Sequence, residues 1–230
     1  MAVCFILFSK TLFHIYADMS YNISMNVKFG GEVMSKQELL NELLKTNGEV
    51  LLTRQAEKAG LSRKLLSLAV QSGKLERVAH GVYISPDAFD DFMYRIQMKS
   101  PSAIYSHETA LYMHDLCDRT PIIYSVTVPS DYNARHLKSE SLQIFYIKRE
   151  LHQMGVVDSK TFIGRIVRIY NVERTMCDMV RSRSRVDISL LMDSLKRYAW
   201  RKERNIRLLM NYAEAFNIEL LMRQYMEVLL

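Results

Sequence analysis

"TRQAEKAGLSRKLLSLAVQSGK", Thr53 to Lys74, decides the fold of the chain's first half. Gly60 separates two short helix-forming runs, Ser62 stands where a helix N-cap belongs, and Gly73 occupies the favoured position just past a helix end. Small Ala56, four residues before Gly60, lets two helices cross closely. In the second helix Leu65, Leu66, Ala69 and Val70 share one face, leaving Arg63, Lys64, Ser67 and Gln71 on the other. Arg or Lys can meet guanine edges and Gln an adenine edge in a major groove. A plain amphipathic helix with a solvated polar face would carry the same pattern.

The flanks favour the groove reading. Upstream, "SKQELLNELLK" opens with a capping box, Ser35 with Glu38, and its leucines at 39, 40, 43 and 44 form an amphipathic stripe ended by Asn47–Gly48. Downstream, "KLERVAHGVYISP" spells a β-hairpin turning at Gly81 and ending at Pro86. Three helices and a hairpin make a winged helix-turn-helix. Its wing would lie along phosphates with Lys74, Arg77 and His80, and Arg54 in the preceding helix belongs to the same DNA-binding set. From Thr53 to Ser85 there are six Lys/Arg against two acids, the clustering a phosphate-contacting surface needs.

The chain has 230 residues, 49% of them hydrophobic, with 31 Lys/Arg against 25 Asp/Glu. That is enough for one large or two small domains and gives a mild bias toward polyanions. Cys4, Cys117 and Cys177 are too few and too scattered for a disulfide framework or a zinc site, which fits a reducing cytoplasm. The apolar run Ala2–Phe8 has no cationic lead and no cleavage site, and no span is long enough to cross a bilayer. Residues 1–33 are expected to be translated leader or a disordered extension. Gly30-Gly31-Glu32 can be encoded by a purine-rich ribosome-binding signal, with Val33 as spacer before a start at Met34.

Residues 87–100 read as a partly helical linker. Beyond them Ser106 would cap a helix, "IIYSVTVP", "LQIFYIK" and "GRIVRIY" would be strands, and Asn171 would cap the helix "NVERTMCDMVRS". The rest, from Val186, reads as three helices. The whole is α+β: a winged helix-turn-helix over 34–86, then an α+β domain over 101–230 that ends in a helical bundle. His107 and His114 share a helix face but lack a third ligand, so packed histidines are the better reading than metal. A second basic surface comprises Arg181, Arg183, Arg185, Arg201, Lys202 and Arg204; a solvated charged face is the alternative. Glu173, Arg174 and Asp178 form one dense polar cluster, which a structural salt bridge explains as well as chemistry does. No dinucleotide, P-loop, Gly-Ser-led nucleotidyltransferase or Ser-His-Asp motif is present, and no cofactor is implied.

The ordered phrases "EVLLTRQ" from Glu49, "LERVAHGVYISPDAF", "AIYSHETALYMHDLCDRTP", "YSVTVPSDYN" and "YNVERTMCDMVRSR" resemble the AbiEi family of bacterial abortive-infection antitoxins, from about Met34 to Leu230. The resemblance implies a winged helix that represses its own operon at inverted repeats. It also implies a C-terminal domain that counteracts a co-encoded nucleotidyltransferase-like toxin, with or without stable contact, and no enzyme activity of its own. Recognition then falls on Arg63, Lys64, Ser67 and Gln71 and the wing role on Arg77 and His80; the resemblance maps the antitoxin role to no residue, and the polar cluster Glu173, Arg174 and Asp178 is the candidate for it. A regulator whose second domain senses a ligand or dimerises, and a nucleic-acid-acting enzyme, are the alternatives. A monomer and a dimer would both read inverted repeats.

Overall fold

The computed structural model describes residues 35–138 and 140–229. The leader expectation, with Met34 and Cys4, lies outside them. Residues Leu43–Leu230 form one compact unit; the first described helix, α1, spans Lys36–Thr46. The capping box closes α1 as expected: Glu38 N–H donates to Ser35 Oγ (3.2 Å) and Ser35 N–H to Glu38 Oε2 (2.7 Å).

Next come β1 (Val50–Leu52), α2 (Thr53–Lys58), α3 (Arg63–Gln71), β2 (Glu76–Ala79) and β3 (Val82–Ile84). The strands form a three-stranded antiparallel sheet in the order β1-β3-β2. Ser62 caps α3 by accepting from Leu65 N–H (3.3 Å). Gly73 stops that helix at φ +72°, a conformation that costs glycine little.

The segment 87–100 carries α4 (Phe92–Lys99), capped by Asp91, with Met93 and Ile96 buried. Tyr94 and Met98 of this helix pack against the Val50, Leu52, Val82 and Ile84 cluster, while Met93 and Ile96 join the core of a second sheet. That sheet has five strands in the order β6-β5-β4-β8-β7: β4 (Ile104–Tyr105), β5 (Tyr124–Pro129), β6 (Leu142–Ile147), β7 (Val156–Lys160) and β8 (Ile166–Tyr170). Of these β5, β6 and β8 are the strands expected; β4 and β7 are additional. Helix α5 (His107–Met113) follows β4, and short α6 (Arg149–His152) follows β6.

Helices α7 (Val172–Arg181), α8 (Ile188–Trp200), α9 (Ile206–Ala215) and α10 (Glu219–Leu229) close the chain. Their Leu and Met stripes bury one core around Met176, Met179, Leu191, Leu195, Leu209 and Met222. The fold is therefore mixed α+β. Asn171 caps α7 as expected, accepting from Arg174 N–H (2.9 Å). Ser106 stands at the N-cap of α5 as expected, with extended backbone, but without the side-chain cap bond. Its side chain accepts no helix N–H, because Thr127 Oγ1 (2.8 Å) and the His107 ring (2.9 Å) engage the hydroxyl instead.

Gly155 faces the start of α7 at φ +75°, where an added Cβ would stand 2.8 Å from Arg174 Cβ and 3.2 Å from Asn171 Oδ1. Gly155→Ala should therefore lose about 1–2 kcal/mol from the left-handed backbone alone, with the steric cost added. Chemical denaturation should show a lower midpoint at an unchanged slope; an unchanged midpoint would refute the close approach.

Candidate nucleic-acid interface

The site is built on α3 and the hairpin. Leu66 and Ala69 anchor α3 in the core, which turns Arg63, Lys64, Ser67 and Gln71 outward, all exposed. The hairpin turn at His80–Gly81 is tied back to α2, since Gly81 C=O accepts from Thr53 N–H (2.9 Å). An open groove of about 450 Å³ results, and Arg54, Glu57, Arg63, Ser67, Arg77, His80 and Lys99 are among the residues that line it.

The fold thus brings together five of the eight expected residues: Arg54, Arg63, Ser67, Arg77 and His80. Lys64, Gln71 and Lys74 are exposed outside that lining. Two charged lining residues, Glu57 and Lys99, were not among the expected ones. Glu57 accepts from Arg63 Nε at 2.6 Å. That bond occupies Nε and leaves the donors of both terminal amino groups to meet a planar acceptor pair such as a guanine edge. Lys99 arrives from α4, 45 residues beyond Arg54, and only the folded chain places it here. Its Nζ donates to Glu140 Oε1 (2.6 Å). Burial would raise the Glu140 pKa, but Lys99 and Arg95 hold it below its ordinary value. Arg54 is oriented by donating through Nη2 to Met98 C=O.

The other expected sites disperse. In the second basic set Arg183, Arg185, Lys202 and Arg204 are exposed, whereas Arg181 and Arg201 are half-buried and bound to Asp178 and to the His114 carbonyl. The Glu173, Arg174 and Asp178 cluster is interior. Arg174, fully buried, lies between the Tyr170 and Phe216 rings at 4.0 and 4.3 Å, donates through Nε to Asp178 Oδ2 (3.0 Å), and through Nη1 to Leu151 and Met154 carbonyls. Glu173 turns elsewhere, accepting from Asn205 N–H (3.0 Å) and Tyr198 OH (3.3 Å) on one oxygen. The cluster holds helices together and offers no surface to a partner. His107 is buried, stacked on Phe145 and hydrogen-bonded to Ser106 and Ser182, and His114 bonds to Tyr170 C=O.

Residues 38–86 match the family model described as "Transcriptional regulator, AbiEi antitoxin". That matched segment contains α2, α3, the hairpin and all but one of the groove-lining residues named above. Among solved structures it is similar to the RV2827C protein from Mycobacterium tuberculosis, at a TM-score of 0.56 and 10% identity over 77% of this chain and 70% of that one, a likeness of fold. No curated protein matches the chain. Among the described residues no helix is long and apolar enough to cross a membrane.

Proposed function

We propose that the chain is a DNA-binding transcriptional autorepressor and antitoxin: a winged helix-turn-helix over 34–86 that reads inverted repeats upstream of its own operon, residues 87–100 joining it to an antitoxin domain over 101–230. The toxin counteracted is a co-encoded nucleotidyltransferase-like protein, and the setting is phage defence in the cytoplasm. We assign no catalytic residue.

The observation that carries the reading is the convergence of Arg54, Arg63, Ser67, Arg77 and His80 on one open groove between α3 and the hairpin. An exposed helix face reads base edges there while the hairpin cations follow phosphates. The match of residues 38–86 to an antitoxin regulator supports the same assignment. An antitoxin role in the second domain has to use surfaces other than the buried Glu173, Arg174 and Asp178.

The test is a salt series of binding to the chain's own upstream duplex and to a scrambled one. The native duplex should win by roughly a thousandfold. Arg63→Ala should cost about 1–3 kcal/mol on the native duplex only, whereas Arg77→Ala should weaken both and reduce the salt slope by about one ion. Equal, salt-labile binding to both duplexes would leave only a generic basic surface. Growth rescue on co-expression with the neighbouring gene separates an antitoxin from a regulator that senses a ligand.

A further inference from the structure

Helix α8 ends on Trp200, the single tryptophan of the chain, and its side chain is exposed at 85%. An exposed ring serves as a binding platform only where the backbone that carries it is held in place. Here the backbone is not free. The turn through residues 201–205 is pinned from several sides: Arg201 N–H donates to Tyr198 C=O (3.1 Å), Arg201 Nη1 to His114 C=O (2.9 Å) and Arg204 Nη1 to Arg201 C=O (2.9 Å). Buried Glu173 gathers both ends of the turn, Tyr198 OH and Asn205 N–H, on one carboxylate oxygen. Asn205 then caps α9 through Leu208 N–H (2.9 Å). The fold fixes this corner and presents the indole outward, as a binding platform requires.

The neighbouring charges say what kind of ligand suits the platform. Arg201, Lys202, Arg204 and Arg207 face a single acid, Glu203, between Trp200 and Arg207. Residues 201–205 include no apolar side chain, so the chain leaves the indole as a charged stretch and not as the apolar one that the core of a protein interface favours. An exposed aromatic ring followed within seven residues by four cations matches a base with its flanking phosphates, as single-strand binders use it. The base must be unpaired, because in a duplex its neighbours cover both of its faces.

We propose that the α8–α9 corner is a platform for single-stranded nucleic acid, on which Trp200 stacks an unpaired base while Lys202, Arg204 and Arg207 take the adjoining phosphates. It is separate from the duplex groove and does not depend on the repressor reading. Glu173 acts only by holding the turn.

The lone tryptophan makes the test direct. Titrating the intact chain with oligothymidylate in low salt should quench the indole emission to saturation, and added salt should weaken binding. By anisotropy of a labelled strand, Trp200→Ala should lose about tenfold or more, the loss expected for one stacked base, and Trp200→Phe should stay within a few-fold of the parent. Because the side chain is exposed, both variants should keep the parent's melting profile and its duplex binding. Absent quenching, unchanged strand affinity in Trp200→Ala, or loss of duplex binding together with strand binding would each overturn the proposal. So would equal quenching by polyphosphate or by poly-glutamate, which would make the corner a generic acceptor of anionic chains.

Discussion

Asp178→Asn is expected to cost the protein about 3–5 kcal/mol of stability, the usual penalty for removing one partner of a buried ion pair. Neither Arg174 nor Asp178 exposes its side chain, and their Nε–Oδ2 bond of 3.0 Å sets a carboxylate directly against the arginine charge. The Leu151 and Met154 carbonyls and the Tyr170 and Phe216 rings would remain, but none carries a full negative charge. Among the described residues Arg174 Nη2 has no hydrogen-bond partner although it is buried, so the site has no slack. Denaturant titration should show the loss as a lower midpoint at constant slope, and a change below about 1 kcal/mol would mean that solvent reaches the pair. The double variant Arg174→Met with Asp178→Leu should recover much of the loss, since apolar replacement of a buried pair is often neutral or better. If growth rescue fails in Asp178→Asn and returns in the double variant, the cluster serves function only by keeping the fold.

What was legible in the sequence was local. Ser35–Glu38, Ser62 and Asn171 cap their helices because each pairing spans three residues and needs nothing from elsewhere. The hairpin at Gly81 and the α+β class were legible for the same reason. Ser106 makes no such bond because its hydroxyl had a distant option, Thr127, 21 residues away, which no local rule weighs. Strand β4 is two residues long and exists only through its neighbours β5 and β8; β7 carries polar Asp158, Ser159 and Lys160 and is defined by its register with β8. The groove divides similarly. The polar face of α3 could be written down from its period, but which cations converge depends on where the hairpin folds back and where α4 ends. Hence Lys99 was missed, and Gln71 and Lys74, at or past the end of α3, lie outside the lining. Glu173, Arg174 and Asp178 looked like a site because charge density is visible in a sequence and burial is not.

Burial also sets the second large effect, a loss of stability in mild acid that traces to His107. Its imidazole is enclosed, stacked on Phe145 at 3.4 Å and hydrogen-bonded to Ser106 and Ser182. Removal from water drives its pKa from 6.5 down to about 3; Asp178 opposes that shift, and Arg181, Arg174 and Arg185 reinforce it. The native state therefore binds no proton here across a range in which the unfolded chain binds one. Stability is full above pH 6.5 and falls by about 1.4 kcal/mol per unit as the pH drops toward the folded value. His114 and His152, also lowered chiefly by burial, add to the slope in the same direction. Carboxylates such as Glu140, held below their ordinary range, lose their contribution only at more acidic pH. Between pH 6.5 and about 5 the histidines thus dominate. His107→Asn is the informative variant, because His107 sits at φ +49°, a region asparagine tolerates better than most residues. Whatever its absolute stability, its profile over that interval should be shallower than the parent's by about one proton, read from denaturant midpoints at each pH. Parallel profiles would mean that water reaches the imidazole and that the Ser106–His107–Ser182 network opens in the native state.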